Sequence, residues 1–191
     1  MTEAGTAERI TAAARAILIQ EGAQAVTMRR VAADAGVTAM ATYRHFPNRQ
    51  ALLRTVADAA FAELSADWGR HDDVGDFASR ISRMQDAFLD FALGQPNLYT
   101  FLMTDRRDGA RRFPADYEAS PTFAPMVALA EQGMRDGTLR VDDPLEVAMT
   151  LVAQVMGLLQ LHLGGRVSLS EPEFRALCKR STERILDGLR Q

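Results

Sequence analysis

A chain of 191 residues, 47% of them hydrophobic, can bury a core without help from disulfides or a structural metal. Its single cysteine excludes an intramolecular disulfide, and its three histidines lie too far apart in sequence to suggest a metal site. We therefore expect no cofactor. The sequence does not start with a basic segment followed by an apolar run, which predicts a cytoplasmic protein.

The net charge of −3 is unevenly distributed along the chain. Residues 1–55 contain seven arginines and four acidic residues, a balance of +3, whereas the remainder contains 15 basic and 21 acidic residues, a balance of −6. A basic head on an acidic body is typical of a protein that meets phosphate at one end. Surface charge also varies for unrelated reasons, so the asymmetry alone leaves nucleic-acid binding open.

Helical spacing of apolar residues along nearly the whole chain predicts an all-α fold with nine helices. The first helix has an apolar face over residues 10–18 and is expected to end at Gly22 in a left-handed conformation. Thr27 is then a suitable cap for a short helix closed by Gly36, and a second short helix starts at Thr38. Two short helices joined by a tight turn predict a helix-turn-helix.

The second short helix is expected to stop before Pro47, which cannot continue a helix without losing a hydrogen bond. Asn48 then caps a long helix with a buried stripe that reaches Trp68, and Asp76 caps the next helix. Residues 94–96 break the chain before another short helix.

The last three helices have clear start signals. Ser120 before Pro121 predicts a helix that runs to Gly137. Residues 143–146, Asp-Pro-Leu-Glu, and residues 170–173, Ser-Glu-Pro-Glu, each resemble a capping box, in which two residues satisfy each other's free amides.

The most specific pattern is the run AGVTAMATYRHFPNRQALL at residues 35–53. It resembles the DNA-binding signature of the TetR family of transcriptional regulators, in which A-G-V-S is followed by Y-x-H-F, a lysine and E-x-L-L. The similarity extends back to Ile10. Arg49 replaces the usual lysine, which keeps a cation but changes its geometry, and Thr42 stands where leucine is more usual.

Membership in this family implies a helix-turn-helix domain over residues 1–50 and a helical effector-binding and dimerisation domain over residues 51–191. The implied function is that of a ligand-responsive transcriptional regulator, by default a repressor, which binds a palindromic DNA operator as a homodimer. Entry of a small apolar or aromatic effector would lower its affinity for DNA.

The resemblance also implies the contacts with DNA. Base edges are assigned to Thr38, Ala39 and Met40, with Arg29 as a candidate for guanine. Phosphates are assigned to Thr27, Tyr43, His45 and Arg49. Two alternatives stay open, namely that Tyr43 is only a core aromatic and that His45 is only a packed polar residue.

The C-terminal body resembles the family only in its layout. The helices near residues 144–164 and 170–190 are expected to form the dimer interface, because they are apolar on more than one face; a purely intramolecular core is the alternative. Residues 145–163 are long and apolar enough for a membrane span, but they include Glu146, Gln154, Gln160 and His162, which favours a buried helix and no membrane. Gln154 and His162 could orient a ligand or be satisfied buried groups.

An effector pocket is expected between residues 52 and 135, lined by aromatic and thioether side chains that suit an apolar ligand. Its candidates are Trp68, Met84, Phe88, Phe91, Tyr99, Met103 and Met126. Plain core packing is the alternative for each of them.

The sequence has no nucleophile–base pair, phosphate-binding glycine loop or metal motif, so we do not expect an enzyme. The remaining alternative is a helical interaction protein that retains the head without binding DNA.

Overall fold

The computed structural model describes residues 3–69, 75–104, 113–114, 120 and 122–190, apart from the side chains of residues 3–4, 67–69 and 104. This part of the chain forms nine α-helices and one short 3-10 turn, without a strand, which confirms the predicted all-α fold. The helices are α1 (Glu3–Glu21), α2 (Met28–Asp34), α3 (Ala39–His45), α4 (Arg49–Gly69), α5 (Phe77–Gly94), α6 (Pro96–Thr104), α7 (Ala124–Arg135), α8 (Pro144–Leu163) and α9 (Glu171–Leu189). The 3-10 turn spans Ala23–Ala25, between α1 and α2.

The helices pack into two compact units. The first contains α1–α3, α4 up to Glu63, and the chain from Ala92 through α6. The second contains the rest of α4, α5 up to Phe91, and α7–α9. The sequence did not indicate that α6 belongs with the N-terminal helices, where it packs on α1 and the 3-10 turn. The domain boundary at residue 50 stays a prediction.

The core of the first unit is built from the apolar faces that the helical period predicted. Its buried side chains include Ile10, Ala14, Ile17 and Leu18 of α1, Val31 and Ala32 of α2, and Leu52, Leu53 and Val56 of α4. Burial of these faces removes apolar area from water, which is the main favourable term in folding. The short helices α2 and α3 are thereby fixed by tertiary packing, since helices of seven residues are not stable alone.

Gly22 ends α1, and its amide donates to the carbonyl of Leu18 at 3.0 Å. Its φ of 85° is positive, as expected, but its ψ of 171° is extended, so the prediction of a left-handed helical cap was wrong. The extended ψ leads the chain directly into the turn at Ala23–Ala25 rather than back along α1.

Gly36 closes the turn between α2 and α3 with a φ of 64°. The amides of Gly36 and Val37 donate to the carbonyls of Ala33 and Ala32 at 3.1 and 2.9 Å, the pattern of a Schellman motif. Glycine adopts this φ without the steric cost that a side chain imposes. The predicted helix-turn-helix is therefore confirmed together with its turn.

The predicted caps of α4 and α5 are confirmed. The Oδ1 atom of Asn48 accepts the Ala51 amide at 2.8 Å, and the Oδ1 atom of Asp76 accepts the Ser79 amide at 2.9 Å. Hydrogen bonds from the Ser79 side chain and amide lower the pKa of Asp76. Both caps satisfy amides that a helix N-terminus otherwise leaves unpaired.

One of the two predicted capping boxes is complete. The Glu173 carboxylate accepts the Ser170 amide at 2.9 Å and the Ser170 hydroxyl at 2.6 Å, and these bonds lower the pKa of Glu173. At the start of α8, Asp143 accepts two amides of the first turn, at 2.8 and 3.2 Å. The Asp143 amide, however, donates to Asp142 at 2.9 Å, so the reciprocal bond to Glu146 predicted by the pattern is absent.

The start of α7 differs from the prediction. The helix begins at Ala124, not at Pro121, which lies outside the described residues. The Ser120 carbonyl accepts the Ala124 amide at 2.7 Å, so the chain first makes a turn and enters the helix afterwards. Pro125 then occupies the first helical turn, where its missing amide costs no hydrogen bond.

The second unit has an apolar core between α5, α7, α8 and α9. Its buried members are Ile81, Leu129, Ala130, Leu139, Val147, Leu151 and Leu186. A smaller cluster of Phe123, Val127 and Ala148 joins α7 to α8.

One helix in the described part of the chain, α8, is long and apolar enough to cross a membrane by length and composition. Only 28% of its most apolar 18-residue window is buried within the protein. The prediction of a buried helix therefore holds for part of α8, and its remaining residues are partly buried or exposed.

Candidate nucleic-acid interface

The interface candidate is the surface of α3 together with the start of α2. Thr38 caps α3, since its hydroxyl oxygen accepts the Ala41 amide at 3.1 Å, and Thr27 caps α2 by accepting the Arg30 amide at 3.3 Å. Both threonines are exposed, so the residues predicted to meet DNA also define where the two helices begin.

The inner face of α3 is held by Thr42, which is fully buried. Its hydroxyl donates to the Thr38 carbonyl at 3.3 Å, one turn earlier in the same helix. A threonine is therefore accommodated where family members usually have leucine, because its polar group finds a local partner.

The outer face of α3 presents large side chains to solvent. Met40 is 73% exposed and Tyr43 is 51% exposed, while Ala39 beside them is also exposed. The alternative that Tyr43 is a core aromatic is therefore wrong. His45 is half-buried at the end of the helix, which leaves both of its interpretations open.

The two arginines at the start of α2 have different surroundings. Arg30 forms ion pairs with Glu21 and, at 3.9 Å, with Asp34. The Arg30 hydrogen bonds lower the pKa of Glu21, and this pairing neutralises the cation within the protein. Arg29 is exposed, and no residue in the described part of the chain pairs with it, so its guanidinium is available to an external acceptor.

Arg49, assigned to phosphate by resemblance, has partners inside the protein. Its Nε atom donates to the Val26 carbonyl at 2.7 Å, and its guanidinium also donates to the Ala23 carbonyl at 2.5 Å. Only one sequence feature pointed to this arrangement, namely the replacement of the usual lysine by an arginine, whose planar fork can reach two acceptors. The assignment of Arg49 to phosphate stays a prediction.

A further polar contact in this unit was missed by sequence reasoning. The Asn97 Nδ2 atom of α6 donates to the Ile19 carbonyl of α1 at 3.0 Å, across 78 positions of sequence. No local pattern connects these residues, so no sequence signal could have identified the pair.

The seven candidates for an effector pocket are divided between the two units. Met84 and Met126 are partly buried against the core of the second unit, and Phe88 and Phe91 of the same unit are half-buried. The side chain of Trp68 lies outside the described residues.

The other two candidates belong to the first unit. Tyr99 is buried, and burial raises the pKa of its hydroxyl to about 12, whereas Met103 is half-buried. A pocket that combines all seven residues stays a prediction.

The polar residues of α8 have incomplete hydrogen bonding. The Gln154 Oε1 atom accepts the Thr182 hydroxyl of α9 at 3.2 Å, while the Gln154 Nε2 atom is buried and has no partner in the described part of the chain. His162 stacks on Phe174 with ring centroids 4.1 Å apart, and its buried Nδ1 atom likewise lacks a described partner. Gln154 and His162 thus link α8 to α9.

An N-terminal helix-turn-helix with exposed residues on α3, followed by a helical body, is typical of DNA-binding transcriptional regulators. Residues 10–56 match the model of the bacterial regulatory proteins of the tetR family, and residues 81–188 match the tetracyclin repressor-like C-terminal domain. The chain belongs to the TetR family. Proteins of this family are DNA-binding regulators, not enzymes, and they typically respond to ligands and form homodimers.

The chain is also similar to individual proteins in sequence or in fold. The chain is 27% identical over 162 residues to the nucleoid occlusion factor SlmA of Photobacterium profundum, covering 82% of each chain. A protein of unknown function from Rhodococcus sp. RHA1 has the same fold, with a TM-score of 0.82, 21% identity and coverage of 97% and 96% of the two chains. The regulator FadR from Bacillus subtilis, determined in complex with stearoyl-CoA, has a TM-score of 0.76 at 12% identity, covering 95% and 98%.

Proposed function

We propose that this protein is a repressor that binds a palindromic operator as a homodimer and is released from it by a small apolar effector. The observation that carries the proposal is the exposure of Met40 and Tyr43, at 73% and 51%, on the second helix of a helix-turn-helix whose two helices are both capped. These side chains lie on a helix short enough to enter a DNA major groove, where they could contact base edges and the backbone.

The proposed contacts follow the order of residues along the two helices. Thr38, Ala39 and Met40 lie at the N-terminal end of α3, the end that approaches base edges in helix-turn-helix complexes. Ala39 and Met40 would contact thymine methyl groups, and the available guanidinium of Arg29 would contact guanine. Thr27, Tyr43 and His45 are proposed phosphate contacts, which fix the position of the protein on the duplex. Arg49 is left out of this set, because its guanidinium bonds to the carbonyls of Val26 and Ala23 inside the protein.

Dimerisation is proposed to occur through α8 and α9. The outward face of α8 carries small and apolar residues at spacings of three or four, namely Thr150, Ala153, Gly157 and Leu161. Leu161 is 41% exposed, and, apart from the chain neighbours and own-helix backbone of Gly157, no described atom would lie within 4 Å of a Cβ atom added there. A second copy of the chain would cover this face. Binding to a palindrome then requires the two α3 helices of the dimer to reach major grooves about 34–36 Å apart, or a multiple of that distance.

Effector binding is proposed to act on the balance between a DNA-binding state and a released state. A ligand shifts such a balance only if it binds the two states with different affinity. The methionines and aromatic residues predicted to line the pocket favour an apolar ligand. Stearoyl-CoA, the ligand of the FadR complex, is a suitable first probe because it combines a long acyl chain with a polar head.

Three variants that each replace an exposed apolar side chain by glutamate test the proposal. Met40→Glu lies on α3, Leu161→Glu lies on α8, and Val141→Glu, at a residue that is 83% exposed before α8, is the matched control. The duplex probe is selected by the wild-type protein from a random-sequence library, and affinity is measured by fluorescence anisotropy as a function of salt. Sedimentation gives the oligomeric state.

The expected pattern is specific to each variant. Met40→Glu should remain a dimer and lose duplex binding, because its carboxylate faces phosphates and base acceptors. Leu161→Glu should become monomeric and bind weakly, whereas Val141→Glu should behave as wild type. Loss of binding in all three variants, or in none, would contradict the proposed interface. A wild-type complex that no member of an acyl-CoA and metabolite library weakens would contradict induction by a ligand.

The similarity to SlmA supports a second candidate, a role in nucleoid occlusion. A deletion strain separates the two candidates. Derepressed transcripts from genes beside the selected operator favour the repressor, whereas division septa that form over nucleoids, with transcripts unchanged, favour nucleoid occlusion.

A further inference from the structure

The connection between α1 and α2, residues 22–26, is held partly by its own hydrogen bonds and partly by side chains from other helices. Within the connection, the Gly22 carbonyl accepts the Ala25 amide and the Ala23 carbonyl accepts the Val26 amide, both at 3.2 Å. The Val26 carbonyl and, in the last turn of α1, the Ile19 carbonyl have side-chain donors instead. Buried carbonyls need such partners, since an unpaired one costs the full desolvation penalty.

Arg49 supplies the donors from one side. It is the first residue of α4, and its part-buried guanidinium bonds to the carbonyls of Ala23, the first residue of the 3-10 turn, and Val26, the residue that follows the turn. Two bonds from one planar group fix both the distance and the orientation of the turn relative to α4. A lysine, with a single ammonium group, cannot reproduce this geometry.

Asn97 supplies the donor from the other side. It is the second residue of α6, and its Nδ2 atom bonds to the Ile19 carbonyl at 3.0 Å. Its side chain also lies within 3.8 Å of the position that a Cβ atom on Gly22 would take, so it meets the connection where α1 ends. The rest of α6 packs on α1 and on the 3-10 turn.

Thr27 follows the connection directly and caps α2. We propose that Arg49 and Asn97 are positioning residues for DNA binding. Their hydrogen bonds attach the α1–α2 connection to α4 and the end of α1 to α6, and this sets the position from which Thr27, at the start of α2, contacts the duplex. This inference rests on the proposed DNA interface. The helix that carries Arg49, α4, continues past Glu63 into the second unit. The helix that carries Asn97, α6, follows α5, most of which belongs to the second unit. Both residues are therefore connected along the chain to the proposed effector-binding body.

The competing role of Arg49 is that of a phosphate ligand, and substitution by lysine and by glutamine distinguishes the two. If Arg49 binds phosphate, Arg49→Lys should keep most of the affinity for the duplex. Arg49→Gln should then make the negative slope of log affinity against log salt shallower by about 0.9 for each lost contact, or about 1.8 for a dimer. A positioning residue fails with either substitution. Arg49→Lys and Arg49→Gln should then both bind at least about tenfold more weakly, because each loses the paired bonds, with the slope unchanged.

Asn97→Ala provides a second variant that removes no charge and lies outside the helix-turn-helix. We expect it to bind the selected duplex about tenfold more weakly as a dimer, again without a change of slope. Arg54→Gln is the charge control, since Arg54 is an exposed residue of α4 with no hydrogen bond in the described part of the chain. It should bind as wild type does.

Hydrogen exchange of the DNA-free protein gives a readout that does not depend on the operator. The amides of residues 22–30 should exchange faster in Arg49→Lys and Asn97→Ala than in wild type, with α8 and α9 unchanged. Wild-type exchange in both variants, or wild-type duplex affinity in Arg49→Lys, would overturn the inference. If the wild-type protein bound no duplex, the proposed function would fail, while the exchange result would still test the attachment of the connection.

Discussion

Tyr43→Phe removes one predicted contact with DNA and should change the stability of the fold very little. The Tyr43 side chain is 51% exposed, and no hydrogen bond to it is found in the described part of the chain, so the hydroxyl can be deleted without leaving a buried partner unpaired. We expect the free energy of unfolding to change by less than about 0.5 kcal/mol, as for an ordinary surface substitution.

The expected effect on DNA binding is much larger. A hydrogen bond to a charged acceptor such as phosphate contributes about 1.5–3 kcal/mol, and a dimer loses two of them, about 3–6 kcal/mol in total. The dissociation constant should therefore rise on the order of a hundredfold to ten-thousandfold. The slope of log affinity against log salt should stay the same, because no charge is removed.

The assay is a fluorescence anisotropy titration with the selected duplex at several salt concentrations, next to urea unfolding of the same protein. Thr55→Val is the matched control, since it also deletes one hydroxyl, and that hydroxyl donates only to the Ala51 carbonyl of its own helix, at 3.2 Å. Wild-type affinity in Tyr43→Phe would refute the phosphate contact. A lowered stability that accounts for the affinity loss would refute the assignment of Tyr43 to the surface.

Three further predictions concern the body of the protein. Gly133→Ala should lower the free energy of unfolding by about 1–2 kcal/mol in urea titrations, since the new Cβ atom would lie 2.8 Å from the Phe77 ring and overpacking outweighs the gain in helix propensity; equal or higher stability would contradict this packing. Hydrogen bonds from Ser170 lower the pKa of Glu173, so the stability that they contribute is present above the ordinary glutamate range and is lost as the pH falls through the lowered pKa. Urea titrations at falling pH should therefore show a shallower acid limb for Glu173→Gln than for wild type, and identical curves would argue against the capping box. Cys178 is fully buried, and burial raises the pKa of its thiol to about 11. A disulfide reagent at mildly alkaline pH should therefore label the native protein at least about 100-fold more slowly than the urea-unfolded protein, and equal rates would show an accessible thiol.

Much of the fold could be predicted from local patterns. The caps at Asn48, Asp76 and Ser170 follow from bonds between residues three positions apart, which a sequence displays directly. The turn at Gly36 was predictable for the same reason, since only its own φ and its nearest neighbours decide it.

The errors fall where several local solutions compete. At the start of α8, two aspartates follow one another, and Asp142 accepts the amide that the capping-box pattern assigned to Glu146. At the start of α7, Pro121 and Pro125 both suit a first helical turn, and the turn closed by the Ser120 carbonyl selects the later one. The sequence indicates that a helix starts nearby, but not which of two equivalent residues starts it.

By itself the sequence determined the helical periods, the helix-turn-helix and the family, because each is encoded in residues a few positions apart. Only the tertiary structure decided that α6 packs with the N-terminal helices, that Arg49 bonds to carbonyls 23 and 26 positions away, and that Asn97 reaches Ile19 across 78 positions. These contacts arise from the packing of whole helices, whose free energy depends on every apolar face at once, so no local pattern records them.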